Sequence, residues 1–244
     1  MKVGTDGVLL GAWAQLPLND KFIFPPVKNE PLLKILDIGT GTGLIALMLA
    51  QRICSIKNNC PKDFIIDAID VDESSFKQAK ENIEKSKHGR KIKVYHLSFQ
   101  KFLEGADLNS YHLIVSNPPF FKNSLKSKKP SRNLSRHSDY SELSSEILIS
   151  SVKKLIAPEG KFCLILPKTE GENFMAEAKK SNLYCAKITK VFSKANKEPK
   201  RYLMQFQNFE DAVIEDNLTI ETGDGLNNFT PEYKNLTRDF YLNF

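Results

Sequence analysis

Nowhere in its 244 residues does the chain hold an apolar run approaching the roughly 18 needed to cross a bilayer as a helix, so no membrane span is expected. Cysteine is scarce. Cys54, Cys60, Cys163 and Cys185 form no C-x-x-C pair, and none stands near a histidine at metal-ligand spacing. Neither a disulfide framework nor a metal site is expected, and the four read as free buried thiols of a reducing compartment. Glycine and proline, 12 of each, are not in excess, which excludes collagen-like and low-complexity chains. Neither sign of charge dominates: 35 Lys+Arg against 29 Asp+Glu leave +6. That balance suits a nucleic-acid partner without requiring one. A secretory leader is not expected either. Val8 to Ala14 is apolar and ends Ala-Trp-Ala, as a signal-peptidase site would, but the run is short, glycines flank or interrupt it, and Lys2 alone supplies positive charge before it. A cytoplasmic protein is expected.

What is present is an ordinary globular composition, 41% hydrophobic and 26% charged. A chain of this length buries roughly 70% of its unfolded surface without a covalent or metal staple. From Lys34 onward, strand-like and helix-like patterns alternate. Ile35–Ile38, Phe64–Ile69, Ile92–Leu97, His112–Ser116 and Lys161–Leu166 read as strands. Leu44–Arg52, Glu73–Lys85, Ser141–Ile156 and Phe174–Lys180 read as helices, with Ser141 as an N-cap and Pro158 just past a helix end. Tyr184–Phe192 and Tyr202–Phe206 could close the sheet as a strand pair. Alternating β and α elements with doubly buried strands predict an α/β fold: a mostly parallel twisted sheet, helices on both faces and a closing antiparallel strand. Two strongly basic stretches interrupt this pattern. One is Lys122 to His137, with Lys126, Lys128, Lys129, Arg132 and Arg136; the other runs from Lys187 to Arg201. The tail from Asp211 begins acidic and ends in Phe240, Tyr241 and Phe244, which read as core, as does Trp13.

The first chemical motif is Asp37-Ile38-Gly39-Thr40-Gly41-Thr42-Gly43, a strand end entering a helix. Glycines there allow a sharp turn and close approach of backbone to a ligand. The spacing is G-x-G-x-G, not the dinucleotide G-x-G-x-x-G, and no lysine follows as in a P-loop. The preceding Asp37 disfavours pyrophosphate and would accept an ammonium. Asp70, where the second strand ends, can take both hydroxyls of a ribose. Together these read as an S-adenosylmethionine site.

The second motif is Asn117-Pro118-Pro119-Phe120, after the fourth strand. Two prolines stiffen the backbone and hold the Asn117 side-chain oxygen beside the Pro118 carbonyl. Two acceptors match the two N–H donors of an exocyclic amine or a carboxamide, and Phe120 offers a face for a planar group to stack on. At the carboxyl edge of such a sheet this predicts methylation of a planar amino group.

These residues resemble the class I, Rossmann-like methyltransferases with an N-P-P-[FY] motif. The match is closer to the tRNA1(Val) (adenine-37-N6)-methyltransferase family. It is carried by the opening Lys2-Val3-Gly4-Thr5-Asp6-Gly7, by Asp37–Gly43, by Val115–Phe121, by the Arg136-His137 pair and by the ending Leu236-Thr237-Arg238-Asp239-Phe240-Tyr241. The resemblance implies transfer of a methyl group from S-adenosyl-L-methionine to N6 of adenine 37 in the anticodon loop of a valine tRNA, by a monomer without metal. Asn117, Pro118, Pro119 and Phe120 would be catalytic. Thr5, Asp6, Asp37, Gly39, Thr40, Gly41, Gly43, Asp70, Val71, Ser98, Phe99 and Asn117 would hold the cofactor, with Thr5 and Asp6 closing over its methionine end. Ser98 stands where many relatives carry an acid beside the adenine. Lys122, Lys126, Lys128, Lys129, Arg132, Arg136 and His137 would bind the RNA, His137 as a contact and not a base. The chain is expected to form one domain, 1–244. Residues 1–33 would be a cofactor-lid segment, 34–209 the core and 210–244 an extension. Met1 directly precedes Lys2, so a leading segment is expected to be missing; the mass of the natural protein tests this. Two other readings fit the motifs less well: a protein glutamine N5-methyltransferase, and a non-catalytic RNA-binding module on the same scaffold.

Overall fold

The protein's structure, a computed structural model, describes residues 4–17, 33–56, 64–119, 143–223 and 228–242. The elements in chain order are α1 (Thr5–Trp13), β1 (Leu33–Ile38), α2 (Leu44–Cys54), β2 (Phe64–Asp70), α3 (Glu73–Glu84), β3 (Ile92–His96), α4 (Phe99–Gly105), β4 (Tyr111–Ser116), α5 (Ser145–Leu155), β5 (Ile156–Pro167), α6 (Lys168–Lys180), β6 (Tyr184–Lys194), β7 (Arg201–Gln207), β8 (Ile214–Glu221) and α7 (Pro231–Thr237). One eight-stranded sheet runs in the order β3-β2-β1-β4-β5-β7-β6-β8. β7 is antiparallel to both of its neighbours, and every other pairing is parallel.

Side chains alternate between the two faces of each strand. Ile35, Leu113, Cys163 and Leu203 face the core under α1, α2, α3 and α7. Leu36, Ile114, Leu164 and Met204 face the core under α4, α5 and α6. Burial on both sides explains why these strands read as continuous apolar runs. Arg52 of α2 ties α1 down by donating to the carbonyls of Gly11 (2.8 Å) and Ala14 (2.7 Å).

Several expectations are corrected. The N-cap of α5 is Ser144, whose hydroxyl accepts from the Ile147 amide, not Ser141. Pro158 lies inside β5, where residues 157–160 bulge opposite the start of β4. α6 begins six residues before Phe174, at Lys168. Cys54 is exposed and Cys185 half-buried; of the three described cysteines Cys163 alone is buried. Cys60 lies outside the described residues.

The second basic stretch is mostly strand, and the acidic tail pairs three of its lysines, while Lys197 and Lys200 are exposed with no ion pair among the described residues. β8, which the sequence pattern did not reveal, pairs in parallel with β6 and sets Asp216 against Lys187 (2.8 Å), Glu215 against Lys190 (2.6 Å) and Glu221 against Lys194 (3.6 Å). The Trp13 indole donates to Thr189 Oγ1 (2.9 Å). Phe240 and Tyr241 pack against Val8, Ala12 and Met48; Phe244 lies outside the described residues. Among the described residues, no helix is long and apolar enough to cross a membrane.

Candidate active site

The strand order reverses between β1 and β4, the switch point at which open α/β sheets bind ligands beyond their carboxyl ends. Ile38 at the end of β1 is in register with Ser116 at the end of β4, and the Ser116 hydroxyl donates to the Ile38 carbonyl (2.9 Å). The two chemical motifs therefore start side by side, Gly39 next to Asn117.

The turn after β1 needs its glycines. Gly39, Gly41 and Gly43 have φ of 70°, 58° and 78°, in the left-handed region that side chains resist. The amides of Gly39 and Thr40 both donate to the Ile69 carbonyl at 2.9 Å, drawing the turn over the end of β2. There the Gly41 amide meets Asp70 Oδ2 (2.8 Å), while Asp70 Oδ1 accepts from the Asp72 amide (2.9 Å). A carboxylate offers about four lone-pair sites, so this geometry leaves room for a diol.

Asp37 is fully buried beneath the turn. Its Oδ2 accepts from Thr40 Oγ1 (2.7 Å) and from the Ala46 amide (3.2 Å), joining the turn to the start of α2. Its Oδ1 is buried with no hydrogen-bond partner among the described residues. Burial is the main cause that pushes this carboxyl up to about 7. Hydrogen bonds from Thr40 and Ala46 oppose the rise, and the Asp70 charge adds to it.

A cleft opens beside the turn. It gathers the expected Gly39, Asp70, Val71, Ser98 and Phe99 with Pro119 of the second motif. Ile38, Ile69, Leu97, Gln100 and Leu143 complete its lining. Leu97 and Gln100 flank Ser98 and could have been found from that position; Leu143 arrives from distant sequence with no local signal. Ser98 also caps α4, its hydroxyl accepting from the Lys101 amide (3.2 Å). Thr5, Asp6, Asp37, Thr40, Gly41, Gly43 and Asn117, also expected to hold the cofactor, do not line this cleft. Gly43 caps the start of α2. Thr5 and Asp6 open α1, which lies along α2, and Asp6 Oδ2 accepts from Arg201 Nε (2.9 Å). Arg201, counted in the sequence merely as one of several cations, is what anchors the opening signature.

Asn117 is half-buried, Pro118 buried and Pro119 exposed. Asn117 is not among the lining residues of the cleft, and its amide makes no hydrogen bond to any described residue. Phe120, Lys122, Lys126, Lys128, Lys129, Arg132, Arg136 and His137 lie outside the described residues. Among the described residues, no three His, Cys, Asp or Glu side chains are grouped to hold a metal ion.

This arrangement fits S-adenosyl-L-methionine. The glycine turn lets a ligand approach the backbone, Asp70 lines the cleft at the end of β2 where a ribose would lie, and Ile38, Val71, Leu97 and Phe99 give a flat base apolar walls. The orphaned Asp37 oxygen points to an added donor.

Comparison with known proteins agrees. The family model for the methyltransferase small domain matches residues 15–146. The chain is 39% identical to a curated tRNA1(Val) (adenine(37)-N6)-methyltransferase of Trichodesmium erythraeum, over 100% of this chain and 92% of that protein. It is 40% identical to one of Flavobacterium johnsoniae, over 99% and 93%. A crystal structure of a predicted O-methyltransferase from Agrobacterium tumefaciens superposes with a TM-score of 0.65, at 16% identity over 96% of each chain, a likeness of fold alone. A glycine turn at the switch point, an acid ending β2, an Asn-Pro-Pro cradle beside them and relatives matched along nearly their whole length lead to one conclusion: the chain belongs to the S-adenosylmethionine-dependent methyltransferases of the tRNA1(Val) (adenine(37)-N6) family.

Proposed function

We propose that this protein methylates the exocyclic N6 amine of adenine in tRNA, at adenine 37 in the anticodon loop of a valine tRNA, in the cytoplasm. The observation that carries the reading is the placement of the open Asn117 amide directly beside Gly39 at the switch point. When bound, S-adenosyl-L-methionine supplies an electrophilic methyl group on a sulfonium. Asp37, Gly39, Thr40, Gly41, Asp70, Val71, Ser98 and Phe99 would hold it, while Thr5, Asp6 and Gly43 shape the loop and helix starts above it.

The chain's own contribution is positioning and electrostatics. The N6 lone pair of adenine is delocalised into the ring and is a poor nucleophile. Asn117 Oδ1 and the Pro118 carbonyl accept its two N–H groups and draw the nitrogen toward tetrahedral geometry, freeing the lone pair for in-line attack. The buried Pro118 keeps these two acceptors from separating. Phe120 stacks on the base. No side chain need remove the proton before attack, because the amine becomes acidic only as its nitrogen gains positive charge. An unpaired loop base is also cheaper to expose than a paired one.

The test uses purified protein, labelled S-adenosyl-L-methionine and total tRNA from a strain lacking the gene, with nucleoside mass spectrometry. A new N6-methyladenosine peak, mapped to position 37, is the expected result; silence on tRNA with labelling of a protein amide would overturn the reading. Lys122, Lys126, Lys128, Lys129, Arg132, Arg136 and His137 are assigned to the RNA by charge and by their place after the second motif. Replacing Lys128 and Lys129 with alanine is expected to weaken tRNA binding and to lower its salt slope by about 0.7–0.9 for each phosphate that is no longer neutralised. An unchanged slope would remove this segment from the interface.

A further inference from the structure

A groove of about 710 Å³ runs between α3 and the outer side of β3, apart from the cofactor cleft. β3 pairs with β2 alone and is an edge strand of the sheet. Phe76, Ile83 and Val94 form part of an apolar floor, and Lys80, Lys87 and Arg90 stand on the rim. Lys80 has Glu84, also on the rim, as a distant partner at 4.0 Å. Lys87 and Arg90 are exposed and form no ion pair with any described residue. The turn that carries them is held tightly: the Gly89 amide donates to the Ser86 carbonyl (3.1 Å), and any side chain at Gly89 would collide with the Ile83 carbonyl. The two cations are thus displayed from a rigid support.

The groove starts beside the active site. Phe76 stacks on His96 with ring centroids 5.4 Å apart, and His96 Nε2 lies 3.1 Å from the carbonyl of Val71, a cleft residue. From there it follows the five residues of β3, roughly 15 Å, down to Arg90.

An RNA hairpin with one base in the crevice is broader than the crevice and must overhang the sheet toward one edge. Exposed cations without an ion pair among the described residues stand on both sides, Lys197 and Lys200 after β6 and Lys87 and Arg90 beside β3, and the latter two border a groove. At the β8 edge, Glu215, Asp216 and Glu221 already neutralise the lysines of β6. At the β3 edge, Lys87 and Arg90 have no ion-pair partner among the described residues.

We propose that the groove between α3 and β3 takes the sugar-phosphate backbone of the RNA substrate outside the loop that bears the target base, with Lys87 and Arg90 on its phosphates. This rests on the reading of the protein as a tRNA methyltransferase. Phosphates meet the two rim cations, and riboses lie on the apolar floor. The site carries no sequence information; it sets the angle at which the RNA stem leaves the active site.

The test is the double variant Lys87→Ala with Arg90→Ala. Both side chains are exposed, so an unchanged melting temperature is expected. Titration with full-length unmodified tRNA should give a dissociation constant at least about tenfold higher than wild type at moderate salt. The slope of its logarithm against log salt should fall by about 1.4–1.8, for two phosphates. kcat at saturating tRNA and the affinity for S-adenosyl-L-methionine should stay within about twofold, because neither residue touches the cleft. Wild-type affinity and slope in the variant would overturn the proposal. So would competition by poly-glutamate for the wild-type groove alone with tRNA binding unaffected, which would assign it to an acidic protein partner. Wild-type protein that neither binds nor methylates tRNA would instead sink the functional reading, and this proposal with it; wild-type methylation with an unaltered variant sinks the groove alone.

Discussion

Replacing Asn117 with alanine is expected to cut kcat for methyl transfer by about 10²–10³-fold or more while leaving the affinity for S-adenosyl-L-methionine within a few-fold. The magnitude is that of losing one preorganised polar group aimed at charge developing in the transition state. The selectivity follows from geometry. Asn117 follows β4 beside Gly39, and the cofactor cleft is lined by Pro119 from this motif and not by Asn117. The amide also forms no hydrogen bond to a described residue, so its loss leaves no buried group unpaired. Initial rates at saturating tRNA, together with calorimetric titration of the cofactor, separate the two quantities. A large loss of cofactor affinity with little change in kcat would remove Asn117 from its place at the amine.

The second large effect concerns Asp37. Its carboxyl is pushed up to about 7 in the folded protein, chiefly by burial, against an ordinary 3.8. The folded chain therefore keeps this proton to higher pH than the unfolded chain does. Between the two values unfolding releases a proton, so stability falls as pH rises from about 4 to about 7, by up to about 4 kcal/mol, and the loss is constant above that. Asp37→Asn removes the titration. Its side-chain oxygen can still accept from Thr40 and Ala46, and its amide nitrogen takes the place of the orphaned Oδ1. The variant is expected to unfold at about the same temperature as wild type near pH 4 and at a higher temperature at pH 8, with the gap opening between. On the proposed role of Asp37, the same change should weaken S-adenosyl-L-methionine binding by about tenfold or more at pH 8, where the wild-type carboxylate is charged and would meet the cofactor's ammonium. A gap that does not vary with pH would show that Asp37 titrates normally. Unaltered cofactor affinity would show that its free oxygen does not face the ligand.

These two carboxylates show how far local sequence reaches. Asp37 and Asp70 could both be picked out from the sequence as candidate cofactor ligands, since each stands at or next to a strand end before a glycine turn or a helix. What each does for the protein itself was not. Asp37 also joins the turn to α2, and Asp70 catches the Gly41 amide and so holds the turn over β2. Those bonds span 9 and 29 residues, and sequence spacing does not reveal them.

Most of the strands that were read correctly, β1, β2, β4, β5 and β7, are largely buried, because double burial writes an unbroken apolar run into the chain; β3, a partly exposed edge strand, was legible as well. β8 escaped notice because it is an edge strand, mostly exposed and rich in acids. Only when it pairs with β6 does the run of Glu215, Asp216 and Glu221 gain a meaning as the partner of three lysines. The basic stretch from Lys187 to Arg201 stood out in the sequence as a bare run of cations for the complementary reason: three of its countercharges lie on β8, well downstream, and Asp6, which pairs with Arg201, lies 195 residues upstream. α1 likewise reads as a loose apolar segment, yet Arg52 and the terminal aromatics of the chain pack it onto α2.

By itself, then, the sequence determined the alternation of strands and helices, the doubly wound class, the glycine turn, the acid that ends β2 and the Asn-Pro-Pro cradle. Each is encoded within a few consecutive residues, through side-chain periodicity, backbone freedom at glycine or backbone restriction at proline. Tertiary structure alone decided that Gly39 and Asn117 stand side by side, that the lysines of β6 are already paired while Lys87 and Arg90 have no ion-pair partner among the described residues, and that the Asp37 carboxyl is buried deeply enough to titrate near neutrality. Register, countercharge and desolvation are set by what the folded chain brings near a residue, and the residues that do so here are tens to nearly two hundred positions away.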